Sequence, residues 1–377
     1  MIVKVLDMNR IITTTRRAGP DGTATKSNSV WSSVASGSIS RAPGLSLAVA
    51  IAVVATIVGR MFPLIGGPVT GIVLGVLIAT LIKPGDRLKP GIKTSSKFLL
   101  QVSVVILGSQ LSLTQVVRVG FDSLPVMVGT LAICLIAAYF IGRWMGVIGD
   151  LRTLIGVGTG ICGGSAIAAV TPVIGAAEVA VTYAISTVFL FNIAAVLAFP
   201  VIGHALGMSQ HSFGLFAGTA VNDMSSVVAV STTYGTESAN YAVVVKLART
   251  LLIIPICLGL AAMVERKTRA DARRTVDGTA AASTATRVRV HRLVPWFLIG
   301  FLLAAAANSA GLIPAGAHQG LSATSLFLIT VALSAIGLST DLPGLRRTGP
   351  RPVILGATLW VIVSLASLGL QLATGTL

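Results

Sequence analysis

The sequence predicts an all-α polytopic membrane protein with about eleven transmembrane helices, two of them interrupted, and with inverted-repeat character. Three observations carry that prediction. Hydrophobic residues make up 54% of the 377-residue chain and charged residues only 11%, where a soluble domain carries about 25% charge. Apolar runs of about 17 residues or more, enough to cross a bilayer, recur along the chain. Two of those runs are broken at mid-length by glycine and polar residues, a poor composition for a plain spanning helix.

Residues 1–43 are rich in Ser, Thr, Gly and Arg and poor in large apolar side chains. They read as a disordered cytoplasmic tail, and not as a cleaved signal peptide, because the charged stretch is long and no small-residue cleavage site follows. Residues 44–377 form one transmembrane domain. Its spans are expected near 45–62, 68–82, 97–113, 124–142, 153–174, 180–206, 213–233, 241–263, 294–310, 323–342 and 353–373. The segment 265–293 is Arg-, Ala- and Thr-rich without apolar periodicity, so it reads as an exposed cytoplasmic linker. It serves as a topology signal, and its basic side chains also suit anionic lipid.

Charge sets the orientation. With the N-terminus inside, 24 of the 28 Lys and Arg residues fall in the cytoplasmic segments. Arg60 and Arg118 fall outside, and Lys246 and Arg249 lie within a span. The bias therefore predicts an N-terminus in, a C-terminus out and an odd number of spans. The net charge of +16 sits in short loops without aromatic interleaving, which argues against nucleic acid as a partner. Cys134, Cys162 and Cys257 all lie in apolar segments, with neither a disulfide framework nor zinc-type spacing. No HExxH, Walker or GxSxG motif and no paired glutamates occur. No enzyme activity, cofactor or metal is expected, nor primary active transport by this chain alone.

Two internal similarities stand out. Gly158–Val170 and Gly218–Val230 align without gaps, with five of thirteen positions identical. These are the two interrupted runs, and such pairs point to a transporter's binding site. The third and tenth spans also share Ser, Phe, Leu and Gly in register, Ser96 through Gly108 against Ser325 through Gly337. Seven spans apart, they run in opposite directions, as inverted repeats do. The interrupted runs are only two spans apart and come out parallel, so an inverted pair needs a hidden crossing or a re-entrant loop, within 171–208.

The candidate chemistry lies at those interruptions. Asp223, beside Asn222 and Ser225, is a carboxylate at membrane depth, and such a group is kept from lipid and given a partner. Either Asp223 binds a coupling cation or proton, or it forms a structural ion pair with Lys246 or Arg249. Lys246 and Arg249 stand at i and i+3, on one helix face, and suit an oxyanion through a point charge and a planar fork. Gly160, Cys162, Gly163, Gly164 and Ser165 let the backbone unwind and expose amides of a half-helix N-terminus, where anions are favoured. His204, His211, His291 and His318 show no ligand spacing, and Asp341 reads as a loop or cap residue.

Several of these motifs resemble the YeiH-like sulfate exporter family of bacterial inner-membrane proteins. The resemblance is carried by Gly71-Ile72-Val73-Leu74-Gly75, Leu107-Gly108-Ser109-Gln110-Leu111-Ser112, Gly160-Ile161-Cys162-Gly163-Gly164-Ser165-Ala166-Ile167-Ala168, Ala220-Val221-Asn222-Asp223 and Val245-Lys246-Leu247-Ala248-Arg249. It implies a secondary carrier in a bacterial inner membrane, with a fold similar to bile-acid-symporter and cation-antiporter relatives. The combined expectation is a carrier of a small anion, sulfate or another sulfur oxyanion, coupled to H⁺ or Na⁺. Cys162, Gly163, Gly164, Ser165, Asn222, Ser225, Lys246 and Arg249 would hold the anion, and Asp223 would couple the ion. Two alternatives stay open: a cation/proton antiporter using Asp223, and a membrane sensor or scaffold without flux. Self-association into a homo-oligomer is also left open.

Overall fold

The computed structural model describes residues 41–61, 66–82, 85–274, 295–314, 316–340 and 350–377. The expected tail up to residue 40, the linker beyond residue 274, His291 and Asp341 lie outside the described residues. All regular structure among them is helical. In chain order the helices are α1 Ala42–Met61, α2 Gly66–Ile82, α3 Lys89–Gly108, α4 Leu113–Asp122, α5 Leu124–Trp144, α6 Gly149–Gly160, α7 Gly164–Ile174 and α8 Glu178–Ala205. There follow α9 Gln210–Ala220, α10 Met224–Tyr234, α11 Thr236–Leu251, α12 Ile253–Arg274, α13 Trp296–Ser309, α14 Ala317–Leu338 and α15 Pro350–Thr374. Helix α12 runs on into the expected linker, because Glu, Arg, Lys and Ala there are good helix formers.

Six helical stretches are long and apolar enough to cross a bilayer: α1, α5, α8, α11 with the first part of α12, α14 and α15. A seventh, α3, passes the same test with α4, from which it is bent by 105°. The shorter α2 and α13 complete the bundle. Helix α2 runs beside α14, where a Cβ on Gly337 would lie 2.9 Å from the Gly75 Cα. Only residues without side chains allow backbones that near, and in membranes such packing supplies most of the helix–helix attraction. Helix α13 runs parallel to α3, tied at one end by Trp296 Nε1 donating to Gln101 Oε1 (2.9 Å) and at the other by Asn308 Nδ2 donating to the Leu111 carbonyl (3.2 Å).

The two interrupted runs are not crossings. Helices α9 and α11 point the same way: a Cβ on Gly214 would lie 2.9 Å from the Tyr241 Cβ, and one on Gly218 would lie 2.7 Å from the Val245 Cβ. Helix α10 returns between them in sequence, and Tyr234 at its end donates to the Met208 carbonyl at 2.5 Å. The Tyr234 ring also stacks on Phe213, with centroids 3.8 Å apart. Helices α9 and α10 therefore form a re-entrant hairpin whose open end lies beside the end of α8, where Gly203 meets Phe213 and Tyr234.

Helix α6 runs antiparallel to α5, with Gly156 against Ala138 and Gly160 against Leu131. Helix α7 folds back on it, since a Cβ on Gly158 would lie 2.8 Å from the Ile167 Cδ1. A cavity lined by Ile148, Asp150, Ala177, Tyr183 and Arg351 brings the start of α6 beside the residues that follow α7. This is a second hairpin, opening at the end where α5 stops. Helix α8, 28 residues long, then carries the chain to the other end.

The expected span count is corrected accordingly. Segments 153–174 and 213–233 each double back and are not crossings, and the described residues hold six stretches long and apolar enough to cross, or seven with the bent α3 and α4. An apolar run of about 20 residues has the same composition whether it continues or doubles back, so length alone cannot separate the two. The doubling back also removes the parallel relation between the two runs: the hairpins enter from opposite ends.

Candidate functional site

The two hairpin tips meet at the centre of the bundle. At the first tip, helix α6 ends with Ile161 N donating to the Val157 carbonyl (3.0 Å) and Gly163 N donating to the Gly158 carbonyl (2.9 Å). Gly163 has φ +67° and ψ −134°, a backbone conformation open to glycine and strained for any residue with a Cβ. A Cβ there would stand 3.1 Å from the Asp223 Cβ and 3.4 Å from its Oδ1. Ser165 Oγ closes the turn by donating to the Cys162 carbonyl (2.8 Å), and it lies 3.0 Å from the Cys162 Sγ. No side chain caps the N-terminus of α7, so its first amides are free to face a ligand. Beside Gly164 the space is open, and Ser165 is exposed.

The second tip is built differently. Val221 and Asp223 are extended, and Asp223 is the N-cap of α10. Its Oδ2 accepts from Ser225 N (3.0 Å) and from the Ser225 hydroxyl. The amides of Asn222 and Asp223 both donate to Asn192 Oδ1, at 3.2 Å each. The Ser225 amide at the start of this half-helix is thus met by a carboxylate, and the two amides before the helix by one side chain of α8.

The α9 side of the tip exposes carbonyls, with negative partial charge at a helix C-terminus. Lys246 and Arg249 supply the cations. Both are fully buried on one face of α11, as their spacing predicts. Lys246 Nζ donates to the Val221 carbonyl at 2.7 Å, and Arg249 Nη1 donates to the Thr219 carbonyl. Arg249 Nε and Nη2 and Asn222 Oδ1 are buried without a protein partner. Among the described residues Asp223 is not ion-paired with either cation; the ion pairs seen are the exposed Lys89–Asp86 and Arg118–Asp122. The structural ion pair considered from sequence is absent there, because the Asp223 carboxylate is turned to its own helix start.

The structure thus gathers Cys162, Gly163, Asn222, Asp223, Lys246 and Arg249 around one junction. Ser165 and Ser225 lie at the tips but bond locally, to Cys162 and Asp223. The Cys162 thiol lies within electrostatic reach of Lys246 and Asp223, and Arg249 within reach of Cys134 and Cys162. Among the described residues no three His, Cys, Asp or Glu side chains stand together as metal ligands.

Sequence reasoning missed Asn192 and a polar seam behind Arg249. Thr219 Oγ1 and Ser367 Oγ are 2.7 Å apart, and Gln371 Nε2 donates to Ser367 Oγ at 3.2 Å. Asn192, Ser367 and Gln371 are all buried. Each is a polar side chain inside an apolar run, a signal of the same kind that marked Asp223.

Fold and site together define a multi-pass helical membrane protein centred on two opposed re-entrant hairpins. Residues 43–356 match the family described as Conserved hypothetical protein 698. A UPF0324 membrane protein of Streptococcus pyogenes is 42% identical over 337 residues, covering 88% of this chain and 97% of the relative. One from Streptococcus mutans is 41% identical over 336 residues, covering 87% and 96%. One from Fusobacterium nucleatum is 38% identical over 352 residues, covering 88% and 98%. The chain belongs to this UPF0324 membrane-protein family, in agreement with the YeiH-like resemblance of its motifs.

Proposed function

We propose that the protein is a secondary carrier of a small anion, which binds where the hairpin tips meet. One observation carries this reading: Lys246 and Arg249 are fully buried with no ion-paired carboxylate among the described residues, and two edges of the guanidinium remain unpartnered there. A buried charge without compensation is costly, and a bound anion would supply the compensation. The uncapped start of α7 adds amide donors on the facing tip. Sulfate or another sulfur oxyanion is the substrate that the family resemblance suggests, and a planar guanidinium fork suits its paired oxygens.

Opposed hairpins suit alternating access, since each gives the junction a separate route to its own face. The bias of basic residues among the loops supports a cytoplasmic N-terminus and an outer C-terminus in a bacterial inner membrane, with a H⁺ or Na⁺ gradient driving the cycle. A second reading, cation/proton exchange on Asp223, draws on that carboxylate being half-buried at the tip contact. Reconstitution in liposomes with a panel of anions tests both. Gradient-driven uptake of an oxyanion supports the first, and flux of cations alone supports the second. The absence of any flux leaves a sensor or scaffold.

A further inference from the structure

Among the groups at the junction, Lys246 has a property that Arg249 lacks: its side chain can lose a proton and keep its hydrogen bond. A neutral amine still donates an N–H to the Val221 carbonyl 2.7 Å away. A guanidinium stays charged in a protein, whereas a buried lysine sheds its charge readily. Two cations on one face of α11, fully buried and without an ion-paired carboxylate among the described residues, repel each other and lose their hydration. An anion between them and the α7 amides removes both penalties.

We propose that Lys246 is the proton-coupling residue of the carrier: it takes up a proton when the anion binds and returns it when the anion leaves. The proton comes from bulk solution through the open hairpin, bonds to the Nζ lone pair, and is released to solution on the other face. The titratable or charged groups facing Lys246 are Arg249 on its own helix, Cys162 on the first tip and Asp223 on the second. Further out, Cys134 of α5 faces Arg249 and Cys257 of α12 faces Cys162. Asp223 is committed to capping α10 through Ser225, so its charge has a task that does not change through the cycle. The carbonyls of Thr219 and Val221, the kind of unwound backbone where transporters seat Na⁺, are here occupied by the Arg249 guanidinium and the Lys246 amine, which donates whether charged or neutral. Coupling is therefore to H⁺ and independent of Na⁺.

This inference rests on the anion reading above. The test is calorimetric titration of the purified full-length protein with sulfate, thiosulfate and nitrate, none of which titrates at alkaline pH. Paired buffers of different ionisation enthalpy give the protons exchanged per anion bound. Wild type is expected to take up about one proton per anion at alkaline pH, with affinity falling by up to about tenfold per pH unit there. Replacing Na⁺ by choline leaves that count unchanged. Lys246→Arg keeps a cation and a donor for Val221, and loses both the proton uptake and the pH slope. Asp223→Asn keeps the same proton count per anion bound. Anion binding without proton uptake in wild type, uptake retained in Lys246→Arg, or uptake lost in Asp223→Asn overturns the proposal and leaves anion carriage standing. Binding of none of the three anions overturns both. If Lys246→Arg does not fold, the wild-type and Asp223→Asn counts still decide.

Discussion

Gly163 and Asp223 touch across the centre of the bundle, each at the tip of a hairpin that enters from the opposite end. A Cβ on Gly163 would come within 3.1 Å of the Asp223 Cβ, and the glycine φ of +67° already disfavours any side chain. Gly163→Ala should therefore destabilise the protein by roughly 1–3 kcal/mol, as strained backbone positions do. Gly164→Ala, where the added Cβ meets open space, should cost much less. Thermal unfolding of the two variants in one detergent measures the difference. Equal melting temperatures would mean that the tips are not in contact.

The hairpins make a topology prediction that eleven crossings do not. Ala177 follows the first hairpin and Gly207 precedes the second. Single cysteines at these positions, in a background lacking the native three, should be labelled from opposite faces. Ala177 should react from the side of Arg143, and Gly207 from the side of the C-terminus. Eleven full crossings would reverse both results.

Asn192 holds the second tip by accepting from two backbone amides. Asn192→Leu removes that acceptor and leaves one buried and one half-buried donor, the buried one worth about 1–3 kcal/mol if unsatisfied. Expression and melting temperature should fall together, while Asn192→Asp, which keeps the acceptor oxygen, should retain more of the fold. Wild-type stability in Asn192→Leu would mean that Asn192 does not hold the Asn222 and Asp223 amides.

The fold was legible in the sequence wherever composition and charge decide it. An all-helical membrane domain and the position of both interruptions follow from apolar runs and Gly-rich breaks. The i, i+3 spacing of Lys246 and Arg249 also placed them on one face correctly. What composition could not give was the direction of the chain after each break. Gly163 permits a reversal but does not require one, and the reversal is fixed by contacts such as Tyr234 with Met208, far apart in sequence. The partner of Asp223 was hidden for a similar reason. A carboxylate near two cations in sequence suggests an ion pair, yet an extended residue just before a helix start is also an N-cap, and Ser225 at the right offset decides for the cap.

The central claim is that Arg249 and Lys246 bind an anion at the junction of the tips. Anion affinity of purified wild type and Arg249→Lys, measured side by side by calorimetry, tests it most directly. Lysine keeps the charge and loses the planar fork. The variant should remain folded and bind more weakly by about 1.5–3 kcal/mol, the range of a charge-assisted hydrogen bond. Equal affinities in the two proteins would show that the guanidinium does not grip the anion, and would contradict the account.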